Sequence, residues 1–124
     1  MHYAGSIEFT ILDRSLEEVS AEMPITPGIL NPYGTVHAGA TLWFADVTAT
    51  TLVLEGRDAS AGMKGFPLAI NLNANLVSNQ SEGTIRAVAR YVKRGRTVSI
   101  VRTTVTGRDD RIIADVTTSH VAST

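Results

Sequence analysis

The sequence predicts an α+β fold: a curved antiparallel sheet of about six strands wrapped around one long central helix. Three observations lead there. The run Val36–Leu54 is almost all apolar, Ala or Thr, and is too long for a strand. The segments after it alternate with period two and are separated by turns short enough for antiparallel hairpins. A helix apolar on nearly every side must also be covered on most of them, and a sheet curled around it does so.

Taken in order, Ser6–Asp13 and Glu17–Ile25 read as two extended segments, with β-branched residues in partial alternation. Pro24, Pro27, Gly28 and Pro32 then impose a loop. The helix is expected over Ala38–Glu55, with Gly56 ending it and Arg57–Gly65 as a connecting loop. Phe66–Val77 is the next strand and Asn79–Gly83 its turn. In Thr84–Val92, Ile85, Ala87, Ala89 and Tyr91 share one face while Arg86 and Arg90 share the other. Lys93–Arg96 is a turn, Thr97–Thr106 a strand, Gly107–Asp110 a turn and Arg111–His120 the last strand. No repeat or low-complexity stretch divides residues 1–124, which form a single domain.

The composition excludes several classes of function. Of the 124 residues 44% are hydrophobic and 19% charged, and the net charge of −1 gives no electrostatic reason for a nucleic-acid or membrane partner. Cysteine is absent, so there is no disulfide, thiolate nucleophile or Cys-based metal site. His2, His37 and His120 lack ligand spacing, and neither metal nor cofactor is expected. The long apolar run is broken by Asp46 and several Thr, which argues against a membrane span. No basic segment followed by an apolar run opens the sequence, so a cytoplasmic protein is expected. Asn79-Gln80-Ser81 fits a glycosylation sequon and is read as a polar turn. A sheet around one helix would leave apolar or Thr-rich patches outside and edges to cover, so a domain this small is expected to form a homo-oligomer.

Asp46 is the one charge in the helix run. A carboxylate is expensive to bury and Asp is a poor residue inside a helix. At 100° per residue Leu42, Ala45, Ala49, Leu52 and Val53 form an apolar stripe, with Gly39, Trp43, Asp46 and Thr50 along its edge. Asp46 and Thr50, one turn apart, project side by side. A purely structural Asp46 would pair with a sheet arginine or with the Thr50 hydroxyl. His37 and Ala38 lie where backbone N–H groups lack intrahelical partners and the helix dipole is positive, a place that can hold the oxyanion of an attacked carbonyl. His37 itself reads as a capping or packing residue ahead of a proton carrier, and Asn31 as a turn residue.

Together, Asn31, Gly34, His37-Ala38-Gly39 and Ala45-Asp46 resemble the hotdog-fold acyl-CoA thioesterases of the phenylacetate-pathway (PaaI-like) type, in motif and in element order over nearly the whole chain. The resemblance implies hydrolysis of an acyl-CoA to the free acid and coenzyme A. Asp46 would act as general base or nucleophile, the Ala38 N–H would polarise the thioester carbonyl, Asn31 would orient thioester or water, and Thr50 would hold the attacking water. His37 counts with this set. Ala38 stands where the family has the first glycine of His-Gly-Gly, so the N–H donor survives and a methyl faces the carbonyl. The basic turn Lys93-Arg94-Gly95-Arg96 matches one that the family often sets at the mouth of its pocket for the coenzyme A phosphates, and is otherwise a solvated hairpin. Trp43, Met63 and Phe66 are candidates for an acyl pocket, and Phe44 for the core.

Ala38 and Asp46 are eight residues apart, about 12 Å along a helix. One carbonyl cannot touch both, because reacting atoms come within roughly 3–3.5 Å. The expectation is a dimer with antiparallel helices and two shared sites, assembled further as a dimer of dimers. Two other functions fit the same residues: a hotdog dehydratase or hydratase using His37 with Asp46, and a non-catalytic acyl-CoA binding protein.

Overall fold

The computed structural model describes residues 1–124. The elements are β1 (Thr10–Arg14), β2 (Glu18–Pro24), α1 (Ala38–Val53), β3 (Pro67–Leu76), β4 (Thr84–Lys93), β5 (Val98–Thr106) and β6 (Ile112–Ala122). They form one six-stranded sheet in the order β1-β2-β4-β5-β6-β3, with every neighbouring pair antiparallel. The helix lies on the inner face and touches all six strands. No helix is long and apolar enough to cross a membrane.

Alternation decides which face of each strand meets the helix. Ile85, Ala87 and Ala89 of β4 are fully buried, while Arg86 and Arg90 are exposed. Phe44, Ala45, Ala49 and Leu52 line the covered side of α1, all at 0% exposure. The two alanines are small enough to bring the helix axis close to the sheet. Around Phe44, the residues Met23, Ile85, Val105 and Val116 form the larger core cluster, and Ala49 and Leu52 pack with Val19, Ala89 and Val101 in a second. Each fully buried large side chain contributes about 1.5–3 kcal/mol. Phe44 is thus a core residue.

Three expected boundaries move by two residues or more, and one of them is the last strand, which runs past His120 to Ala122. The first strand begins at Thr10, not Ser6, because Ser6 donates its N–H to the Gly28 carbonyl at 3.1 Å and so leaves the sheet. The helix ends at Val53, two residues early: Glu55 and Gly56 turn left-handed with φ of 50° and 82°. The conformation at Gly56 suits a residue without Cβ.

The sheet's outer face is mixed, with Thr104 and Thr117 beside the ion pairs Arg90–Glu18 at 2.6 Å and Arg102–Asp115 at 2.8 Å and with Val88, Val92 and Ile100 among them. Its edges differ. β1 is five residues long, whereas β3 is a ten-residue edge that exposes Leu68, Ile70, Leu72 and Leu76. A long apolar edge is a template for another strand.

Candidate active site

A cleft of about 660 Å³ opens at the N-terminal end of α1, and Asn31, His37, Gly39 and Trp43 contribute to its lining. Asn31 organises the loop before the helix. Its Oδ1 accepts the N–H groups of Gly34 at 3.0 Å and Thr35 at 3.1 Å, and its Nδ2 donates to Thr35 Oγ1 at 2.9 Å. One amide hydrogen of Asn31 is left over. The turn reading therefore describes its contacts within the chain.

His37 is the N-cap of α1, with its Nδ1 accepting the Gly39 N–H at 2.8 Å. The His37 carbonyl accepts from Ala40 at 3.0 Å and from Thr41 at 3.2 Å. In the first helical turn these bonds leave only the Ala38 N–H without a partner in the chain. That donor sits at the positive end of the helix dipole, available to an incoming oxygen.

Farther along, Asp46 is half-buried and its Oδ1 is buried without a hydrogen-bond partner. No structural pairing accounts for it. Arg90 is bound to Glu18 and Arg102 to Asp115, Arg86 is exposed on the other face, and Thr50 makes no hydrogen bond to the carboxylate. Desolvation by burial raises the Asp46 pKa above its ordinary value, and the nearby charge of His120 opposes that shift. His120 was not singled out from the sequence. It is 1% exposed on β6, with Nδ1 3.2 Å from the Pro67 carbonyl and Nε2 2.7 Å from Thr118 Oγ1. The signal was there: Val116, Thr118 and His120 occupy alternate inward positions of the last strand. No group of three His, Asp or Glu side chains is gathered for a metal.

The expected acyl-pocket residues separate. Trp43, 40% exposed, lines the cleft and stacks edge-on against Phe9 with centroids 5.1 Å apart. Met63 and Phe66 are outside that cleft. They belong to the loop after the helix, where Ser123 Oγ accepts the Phe66 N–H at 2.9 Å and donates to the Met63 carbonyl at 3.2 Å. Those bonds tie the loop to the end of β6.

The basic turn also divides. Arg94 is committed within the chain: its Nε meets Glu55 at 3.1 Å, its guanidinium lies 4.6 Å over the Tyr91 ring, and it donates to the Leu16 carbonyl. Lys93 and Arg96 are exposed and make no ion pair in the chain. A Cβ at Gly95 would run into the Val98 carbonyl oxygen, so the turn can close only on glycine.

Other proteins share this architecture. The thioesterase SAV0944 of Staphylococcus aureus superposes with a TM-score of 0.87 at 20% identity, covering 95% of each chain. The chain has the hotdog fold. Also similar in fold is smu.793 of Streptococcus mutans, solved bound to acetyl-CoA, with a TM-score of 0.82 at 20% identity over 94% of this chain and 89% of that one. In sequence, the chain is 27% identical over 107 residues to ComA2 of Bacillus subtilis, which is named an esterase, covering 83% of this chain and 79% of ComA2. No family model matches the chain.

Proposed function

We propose that this hotdog protein is a thioesterase that hydrolyses an acyl-CoA to the free acid and coenzyme A. The observation that carries the reading is Asp46, a carboxylate with a buried, unpartnered oxygen on an otherwise apolar helix. Such a group lowers stability, and a proton-transfer or nucleophilic role gives a reason for its presence. The thioesterase so named in Staphylococcus aureus and the acetyl-CoA bound in the Streptococcus mutans protein, both of like fold, support it.

In this reading the thioester carbonyl accepts the free Ala38 N–H, and the spare amide hydrogen of Asn31 orients it. Asp46 takes a proton from a water held by Thr50, and the water oxygen adds to the carbonyl carbon. The tetrahedral oxyanion collapses and expels the thiolate of coenzyme A, which leaves as the thiol once protonated. Alternatively the carboxylate itself attacks, and water opens the resulting anhydride. Lys93 and Arg96 are the cations free to meet the phosphates.

The helix spacing of about 12 Å between Ala38 and Asp46 supports a site drawn from two chains. Pairing of two β3 edges across a two-fold axis would cover Leu68, Ile70, Leu72 and Leu76 and set two helices antiparallel. The minimal unit is then a dimer, with a dimer of dimers as the further assembly. The His37–Asp46 hydratase reading is weakened because His37 Nδ1 is engaged as the cap, leaving Nε2 alone for proton transfer. A thiol-release assay over a panel of acyl-CoAs tests the proposal. Turnover is expected for at least one, and its absence across the panel with correctly folded dimer would overturn it.

A further inference from the structure

The cleft at the start of α1 has a wall that the catalytic reading does not use. Residues Tyr3–Ile7 run along its rim, facing Ile29, Leu30, Pro32 and Trp43. This segment is seated by close backbone contact rather than by side-chain packing. Ser6 N–H donates to the Gly28 carbonyl at 3.1 Å. A Cβ on Gly5 would come within 2.8 Å of that same carbonyl oxygen, and a Cβ on Gly28 within 2.8 Å of the Ser6 carbonyl and closer still to its hydroxyl. Two glycines therefore fix how far the wall leans into the cleft.

The chemistry of the lining is one-sided. The part of it that one chain contributes holds no Lys, Arg, Asp or Glu, and its polar side-chain groups are those of Tyr3, Ser6, Asn31 and His37 and the Trp43 indole N–H. An opening of about 660 Å³ is in the range that encloses a small-molecule ligand. A carboxylate carried into it would find no cation, at a heavy desolvation penalty. Three of these groups, on Tyr3, Asn31 and His37, already bond within the chain.

We infer that this cleft is the acyl pocket, that it selects an uncharged, apolar acyl group over one ending in a carboxylate, and that the Tyr3–Ile7 wall opposite Trp43 sets the selection. The inference rests on the thioesterase reading for the identity of the ligand. The acyl group enters past the Ala38 end of the helix, with its tail between Ile7 and the Trp43 ring. The phosphates of coenzyme A remain outside the cleft.

Trp43 is the single tryptophan of the chain, so its fluorescence reports occupancy of the cleft without any turnover. The probes are a ketone analogue of hexanoyl-CoA, with a methylene between sulfur and carbonyl so that it cannot be hydrolysed, and its counterpart ending in a carboxylate. The apolar analogue is expected to change Trp43 emission and to bind at least ~10-fold tighter than the carboxylate one, as burying an unpaired charge demands. Ile7→Arg supplies a cation and should close that gap. Gly28→Ala pushes the wall away and should shift the preferred acyl chain length, read as a changed order of affinities across a series of the ketone analogues. Should Gly28→Ala misfold, Ile7→Ala tests the same wall by truncation. Equal affinity for both analogues, or binding seen by calorimetry with no Trp43 response, overturns the inference even if the protein hydrolyses thioesters. Discrimination between the analogues in a protein without hydrolytic activity would retain the pocket and remove the reaction.

Discussion

Asp115, on the outer face of β6, accepts two hydrogen bonds of 2.8 Å from Arg102, whereas Asp46, on α1, leaves a buried oxygen with no partner. The pKa of Asp115 is lowered, first by its hydrogen bonds to Arg102, and that of Asp46 is raised, first by desolvation. Linkage gives the two opposite effects on stability. Asp115 contributes stability above the ordinary value of 3.8 that is lost as pH falls through its lowered value. For Asp46 the folded state binds the proton more tightly, so stability declines as pH rises from 3.8 through the raised value. At neutral pH one aspartate supports the fold and the other opposes it. A carboxylate kept against stability is the better candidate for chemistry.

Replacing Asp46 tests that contrast most severely. Asp46→Asn keeps the shape and removes the base, so kcat should fall by at least ~10²-fold. Its melting temperature at pH 7 should hold or rise, because no buried partner is stranded. Wild-type turnover in the purified variant would break the comparison. In the wild type, the acid limb of kcat/KM should lie above the ordinary aspartate range, as the raised pKa requires; a limb at or below 3.8 would show that another group controls it.

The shared site comes next. Inactive Asn31→Ala and Asp46→Ala chains, unfolded together and refolded as a mixture, should regain roughly a quarter of wild-type activity, since about half of the randomly paired dimers are mixed and each has one intact site. Differently tagged chains verify reassociation. Mixed dimers without activity would confine the site to one chain.

A smaller effect separates the two arginines of the basic turn. Arg96→Ala should raise KM for acyl-CoA several-fold with kcat and melting temperature nearly unchanged, the pattern of lost uniform binding. Arg94→Ala should lower stability by up to about 1 kcal/mol, since its ion pair with Glu55 is partly exposed. An acyl-pantetheine, which lacks the nucleotide phosphates, should show no KM change with Arg96→Ala. Smallest of all, Asp115→Asn should leave turnover untouched, and its deficit in melting temperature should shrink as pH falls below the ordinary aspartate value.

How much of this was legible in the sequence depends on the range of the interaction. Alternation placed Ile85, Ala87 and Ala89 inside and Arg86 and Arg90 outside, as found. The motif around His37 and the oddity of Asp46 also stood out locally. The neighbours of Ser6 suggest a strand, yet its N–H donates to the Gly28 carbonyl in another loop. Apolar character alone puts Met63 and Phe66 with Trp43, and only the structure shows that within one chain they bond to Ser123 outside the Trp43 cleft.

The sequence by itself determined the elements and their order, because helix and strand periodicities, prolines and short turns act within a few residues. It also marked Asp46 as an expensive charge in an apolar run. Only the tertiary structure decided which carboxylate is paired, which cations of the turn are free, and that His120 lies close enough for its charge to act on Asp46. Those outcomes depend on strand register and on the packing of α1 against the sheet, which join residues far apart along the chain. Desolvation at Asp46 and the Arg102 hydrogen bonds at Asp115 then give two identical side chains opposite pKa shifts.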